Sequence, residues 1–158
     1  MLRNIAIVSA LSALPLSVLA APNYSCKGVR IPGAYLKPGD HNAKDRVLKE
    51  AYLNIKQEGD HFLAEIREKS GSKKLTSPVV QCEDVSSADA QWFLYEFDAN
   101  LAFPKIAIEK VDKGTFCEVN YGTRRHPKKA KLYYFYDKSE EVVGKLVLLN
   151  GRLGECMR

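Results

Sequence analysis

Four cysteines, Cys26, Cys82, Cys117 and Cys156, follow an apolar leader, and that order constrains the fold more than any other feature of the chain. Met1-Leu2-Arg3-Asn4 carries one positive charge. Ile5 to Leu19 is then apolar apart from Ser9, Ser12 and Ser17. Val18 and Ala20 supply the small residues that precede a signal-peptidase cut. A charged, apolar, small-residue order reads as a secretory signal over residues 1–20. The run is short for a membrane span, and Pro15 interrupts it. Cleavage after Ala20 leaves a single domain over residues 21–158, exported to an oxidising compartment where an even number of cysteines pairs into disulfides. Four cysteines allow three connectivities, and sequence does not choose among them. The pairing Cys26–Cys156 with Cys82–Cys117 is preferred here, because the first bond ties the two chain ends together. Metal binding is disfavoured: there is no C-x-x-C pair and no histidine near a cysteine.

The formal charge is +5, falling to +4 without Arg3, a mild basic excess compatible with an acidic partner. Asn23-Tyr24-Ser25 is an N-glycosylation sequon, with Asn23 the acceptor. Residues 27–41 are rich in turn formers, with a short strand expected at Val29–Ile31.

Asn42, with Asp45 three residues on, reads as a helix start. Val47, Leu48, Ala51, Tyr52 and Ile55 form one apolar stripe at helical spacing, Lys44, Lys49, Glu50, Asn54 and Gln57 populate the other side, and Gly59 is the expected C-cap. His61–Ile66 fits a strand or a second helical piece. Val79-Val80 opens a strand that carries Cys82. Beyond it, Trp92–Phe97, Phe103–Glu109, Thr115–Val119, Lys131–Asp137 and Val142–Leu149 are apolar, aromatic or β-branched and read as strands. The expected fold is α+β: one N-terminal helix packed on a curved antiparallel sheet, stabilised by disulfides.

No constellation for catalysis emerges. G-x-S-x-G, H-E-x-x-H, a phosphate loop and G-x-G-x-x-G are all missing. His41, His61 and His126 fall outside the expected strands. Glu96 is the only acid in a strongly apolar segment and is placed on its solvent face. The densest charge runs from Arg124 to Lys131: Arg124, Arg125, Lys128, Lys129 and Lys131, five cations in eight residues, flanked by Tyr121, Tyr133, Tyr134 and Tyr136. Cations beside aromatic rings suit phosphate contact and base stacking, so Arg124, Arg125, Lys128, Lys129, Lys131 and Tyr133 are the candidate RNA-binding residues. A solvated hairpin loop is the plain alternative.

Tyr24-Ser25-Cys26, just after the leader, resembles the aromatic-x-Cys motif of small secreted fungal effectors, especially those of powdery mildews. Many of these resemble the microbial guanyl-specific ribonucleases. Three stretches carry that second resemblance: Asp45–Gly59 as the single helix, Phe103-Pro104-Lys105-Ile106 as an aromatic-Pro strand start, and Leu132–Gly144 as the hairpin before the last strand. The resemblance implies a microbial-ribonuclease-like fold and a bond from Cys26 to the late Cys156. It also shows a dismantled active site. Leu148 stands where the family has its catalytic histidine and Ala102 where it has its glutamate. Leu132 or Tyr133 replaces its arginine, and Ser77-Pro78-Val79 replaces Tyr-Pro-His. A leucine cannot protonate a leaving group. The reading is therefore a secreted, catalytically inactive effector of a plant-infecting fungus, delivered into or around host cells. It needs no cofactor and no membrane, acts as a monomer, and binds host protein or host RNA to weaken defence. An active ribonuclease would have to use Glu96 and His126.

Overall fold

The computed structural model describes residues 23–33, 44–67, 73–75 and 79–157. The leader, His41 and Ser77-Pro78 lie outside the described residues. Nine strands make one sheet: β1 (Asn23–Ile31), β2 (Arg46–Glu58), β3 (His61–Arg67), β4 (Lys73–Leu75), β5 (Val79–Ser86), β6 (Lys113–Gly122), β7 (Pro127–Tyr136), β8 (Val142–Leu149) and β9 (Arg152–Cys156). Their order is β4-β3-β2-β1-β9-β8-β7-β6-β5, and each pairing is antiparallel. The sheet curls into a nearly closed barrel. Helix α1 (Ser87–Glu96), the short α2 (Ala99–Ala102) and a 3-10 turn (Ile108–Lys110) sit between β5 and β6.

This overturns the expected α+β, ribonuclease-like fold. The segment read as the N-terminal helix, Asp45–Gly59, is strand β2 and its turn. Ala51, Leu53 and Ile55 are buried in strict alternation along it, the period of a strand with one face on the core. The helical stripe left out Leu53, one of the most buried side chains in the molecule. Gly59 is not a helix cap. It is the first of two loop residues joining Glu58 to His61. Its φ of +59° is the conformation that calls for glycine there. Trp92–Phe97 is helix rather than strand. The Ser86 hydroxyl caps α1 by accepting from the Asp89 N–H at 3.2 Å. Ala90 and Leu94, one turn apart, are fully buried. Phe103–Glu109 also is no strand. Phe103 closes α2 and Ile106 follows it, both buried in the outer cluster.

Two apolar clusters lie on the two sides of the sheet. Inside the barrel are Cys26, Val29, Leu53, Ile55, Val119, Leu132, Tyr134 and Val147, among others. Outside it, the segment from α1 to Val111 lays Leu94, Phe103, Ile106 and Ile108 over Tyr133, Phe135, Leu146 and Leu153. Strand β7 is thus covered on both faces, and Leu132-Tyr133-Tyr134-Phe135 are all buried. A continuous apolar run is the pattern such a strand requires.

The disulfides are Cys26–Cys156 and Cys82–Cys117. The first joins β1 to β9, so the strands nearest the two chain ends are bonded neighbours in mid-sheet. The second lies across β5 and β6 at directly paired positions. It fastens the edge strand β5 to β6, its one hydrogen-bonded neighbour among the described residues. Gly154 of β9 makes the first junction close. A Cβ there would collide with the Val29 side chain and come 3.1 Å from the Arg30 carbonyl. Arg30 gathers four neighbours at that junction. It pairs with Asp45 and Glu155, each at 2.8 Å, donates to the Ala102 carbonyl at 3.2 Å, and lies over the Phe103 ring.

Candidate nucleic-acid interface

The cationic run falls on the β6–β7 hairpin. Gly122 pairs with Pro127 across its base. Gly122 has a φ of +97°, and a Cβ there would run into the His126 carbonyl. The loop is tied by Thr123 N–H to the His126 carbonyl at 3.2 Å and by His126 N–H to the Thr123 hydroxyl at 3.0 Å. Arg124, Arg125 and His126 are exposed at its tip, and Lys128 and Lys129 are exposed at the start of β7.

Strand alternation then divides the cations. Lys128 lies opposite Tyr121, its ammonium 5.9 Å from the ring centre. Lys129 and Lys131 face outward with Tyr133, opposite Asn120, Glu118 and Phe116 respectively. Glu118 reaches both lysines, Lys129 at 3.4 Å and Lys131 at 3.6 Å. Partial burial works to raise the Glu118 pKa, but the two ammonium groups outweigh it and hold the carboxyl below its ordinary value.

Lys131 and Glu118 stand on the rim of a groove of about 540 Å³. Gln81 and Glu83 of β5 complete that rim. Phe116, Tyr133 and Phe93 of α1 contribute its aromatic lining. These rings pack on one another, Phe93 4.4 Å from Tyr133 and 5.1 Å from Phe116, and Phe116 edge-on to Tyr133 at 4.9 Å. Tyr133 is only 6 % exposed, so it serves as floor rather than as a projecting ring. Burial, and next the charge of Glu118, push its phenol up to about 12.

Chemically, the groove offers ring faces and edges for a planar group, an amide and two carboxylates for its polar edge, and the Lys131 ammonium at one end. That set suits an unpaired nucleobase with its phosphates. Of the sequence candidates, Lys131 and Tyr133 line the groove, and Arg124, Arg125, Lys128 and Lys129 stand on the hairpin beyond it. Sequence reasoning missed Phe93, Phe116, Gln81 and Glu83, which reach the groove only because β5 and α1 fold against β6. The signal for α1 was present in Ser86-Ser87-Ala88-Asp89, a serine followed three residues later by an acid.

The other candidates are dispersed. Glu96 is exposed at the last turn of α1, His126 sits in the hairpin loop, and His61 is exposed at the start of β3. No hydrogen bond or ion pair joins Glu96 to His126 among the described residues. Leu148 lies in β8, Ala102 ends α2, and Leu132 and Tyr133 are adjacent in β7. Asn23 is exposed at the first position of β1. Comparison with protein families, with curated proteins and with solved structures gives no match to this chain.

Proposed function

We propose that this chain is a secreted binding protein rather than an enzyme, an effector of a plant-infecting fungus that engages single-stranded host RNA and so weakens defence. One observation carries the binding reading: an aromatic-lined groove opens directly beside a hairpin bearing five cations. The rings take bases, and the cations take phosphates. Export is supported by the leader and by the two disulfides, a chemistry of oxidising compartments. No helix among the described residues is long and apolar enough to cross a membrane. The effector role rests on the Tyr24-Ser25-Cys26 motif and its late partner Cys156. The ribonuclease scaffold is no part of the proposal, since the barrel replaces it.

A host protein is the second reading. Trp92, Tyr95 and Leu101 stand 65 %, 56 % and 78 % exposed on α1 and α2, and such apolar patches mark docking surfaces.

The test incubates the disulfide-bonded chain with total plant RNA and follows cleavage and retention together. The expected result is retention without cleavage, weakened by the double substitution Arg124→Ala with Arg125→Ala. Cleavage lost in both Glu96→Gln and His126→Ala would instead establish a ribonuclease. Neither cleavage nor retention would leave the protein-docking patch as the working surface.

A further inference from the structure

The sheet's alternation separates a second site from the groove. Gln81, Cys82 and Glu83 of β5 line the groove, while Asp84, the next residue, turns to the face of the strand opposite Glu83. Asp84 is paired with Thr115, which in turn is paired with Tyr134, and Lys113 is paired with Tyr136. These side chains meet where β5 ends and β6 begins, at one mouth of the barrel. A cavity of about 510 Å³ opens there, lined by Asp84, Val85, Ser86, Lys113, Thr115, Tyr136 and Glu140. That volume falls within the roughly 300–1,000 Å³ of small-ligand sites, and barrel mouths are a recurrent place for them.

Its parts are already oriented. The buried Thr115 hydroxyl donates to one Asp84 carboxylate oxygen at 2.9 Å. Lys113 is held by Glu140 at 2.6 Å and lies 5.9 Å from the Tyr136 ring centre. Burial raises the Tyr136 phenol above its ordinary value.

The lining excludes several ligand classes. The Lys113 ammonium opposes a cation, and no group of three metal-binding side chains occurs among the described residues. Asp84 and Glu140 oppose a phosphate. Val85, which packs with the outer cluster, and the Tyr136 ring are the sizeable apolar groups of the lining, too few for a lipid tail. Carboxylates, an ammonium, hydroxyls and one ring face together suit a neutral molecule dense in hydroxyl groups. We propose that the barrel mouth binds a sugar ring. Its C–H face rests on Tyr136, vicinal hydroxyls donate to Asp84, and Lys113 donates to a ring or hydroxyl oxygen. Charge-assisted hydrogen bonds of this kind are the strong ones.

The experiment titrates the isotope-labelled, disulfide-bonded chain with D-glucose, D-galactose and N-acetyl-D-glucosamine, and with short linear oligomers of each. Inorganic phosphate and tetramethylammonium are the counter-probes. Amide resonances of Asp84, Lys113, Thr115 and Tyr136 should move with at least one sugar and with neither counter-probe. Asp84→Asn should weaken that sugar about tenfold, Lys113→Met should do likewise, and Arg124→Ala with Arg125→Ala should leave it unchanged. The proposal is overturned if no sugar moves these resonances, if a counter-probe moves them instead, or if both folded mouth variants titrate like the wild type.

Discussion

Tyr133 and Tyr134 are adjacent in β7 and do opposite work. Tyr134 points into the barrel, where its hydroxyl accepts from the Ser25 N–H at 2.6 Å and donates to the Ser25 carbonyl at 2.8 Å. Strand β9 pairs with β1 only at Val29 and Arg30, so the phenol supplies at Ser25 the partners that a neighbouring strand otherwise would. Tyr24 meets the same ring edge-on at 5.2 Å, and the Lys145 ammonium lies 4.9 Å from its centre. Tyr134→Phe should lower unfolding free energy by about 1–3 kcal/mol, because it strands the part-buried Ser25 N–H and leaves the Ser25 carbonyl only the Lys145 ammonium at 3.5 Å. Denaturant titration checks this. Tyr133 instead turns outward under Phe93. Its phenol, raised to about 12, keeps its proton well above the roughly 10 of an unfolded chain. The stability this confers is present in full below the unfolded value and is lost as pH rises through the folded one. The denaturation midpoint of the wild type should therefore fall between pH of about 10 and 12 by more than that of Tyr133→Phe. Equal alkaline losses in the two proteins would count against it.

At the scale of elements, much of the sheet was legible and the helix was not. Thr115–Val119, Lys131–Asp137 and Val142–Leu149 lie essentially within β6, β7 and β8 because β-branched and aromatic residues alternate or run on between clear turns. Strand β2 misled because its residues satisfy two periods at once. Val47, Leu48, Ala51, Tyr52 and Ile55 fit a helix, while Ala51, Leu53 and Ile55 fit a strand, and only tertiary pairing with β1 and β3 decides. Helix α1 misled in the other direction: Trp92-Phe93-Leu94-Tyr95 is rich in strand-favouring rings, and the cap before it outweighs them. Ser86→Ala should accordingly cost about 0.5–2 kcal/mol, read by thermal or chemical denaturation. Gly154→Ala should be far more disruptive. An added methyl group collides with Val29 and crowds the Arg30 carbonyl, so the junction of β9 with β1 must open. Loss of cooperative unfolding, or failure to form the Cys26–Cys156 bond, is the expected result.

For the whole molecule, the two bonds staple a barrel whose end strands, β4 and β5, have no hydrogen-bonded ladder between them among the described residues. The first bond spans a sequence separation of 130 and the second one of 35. Chain-entropy reasoning assigns them about 5 and about 4 kcal/mol respectively. Replacing either pair by alanine should lower the urea midpoint, and reducing both should abolish the cooperative transition. The candidate groove was half visible in sequence for a related reason. Its cations are contiguous in the chain, whereas its rings come from α1, β6 and β7 and assemble only in the fold. The central claim is that this assembled surface holds single-stranded RNA through phosphate contacts and stacked bases. The most direct test is the affinity of the wild-type chain for a short unstructured RNA across a series of salt concentrations. The hairpin carries five cations, Arg124, Arg125, Lys128, Lys129 and Lys131, and Glu118 offsets part of the charge of the last two. The account therefore predicts a slope of log K against log salt of about −2 to −3.5. A slope near zero, or no binding at low salt, would contradict it.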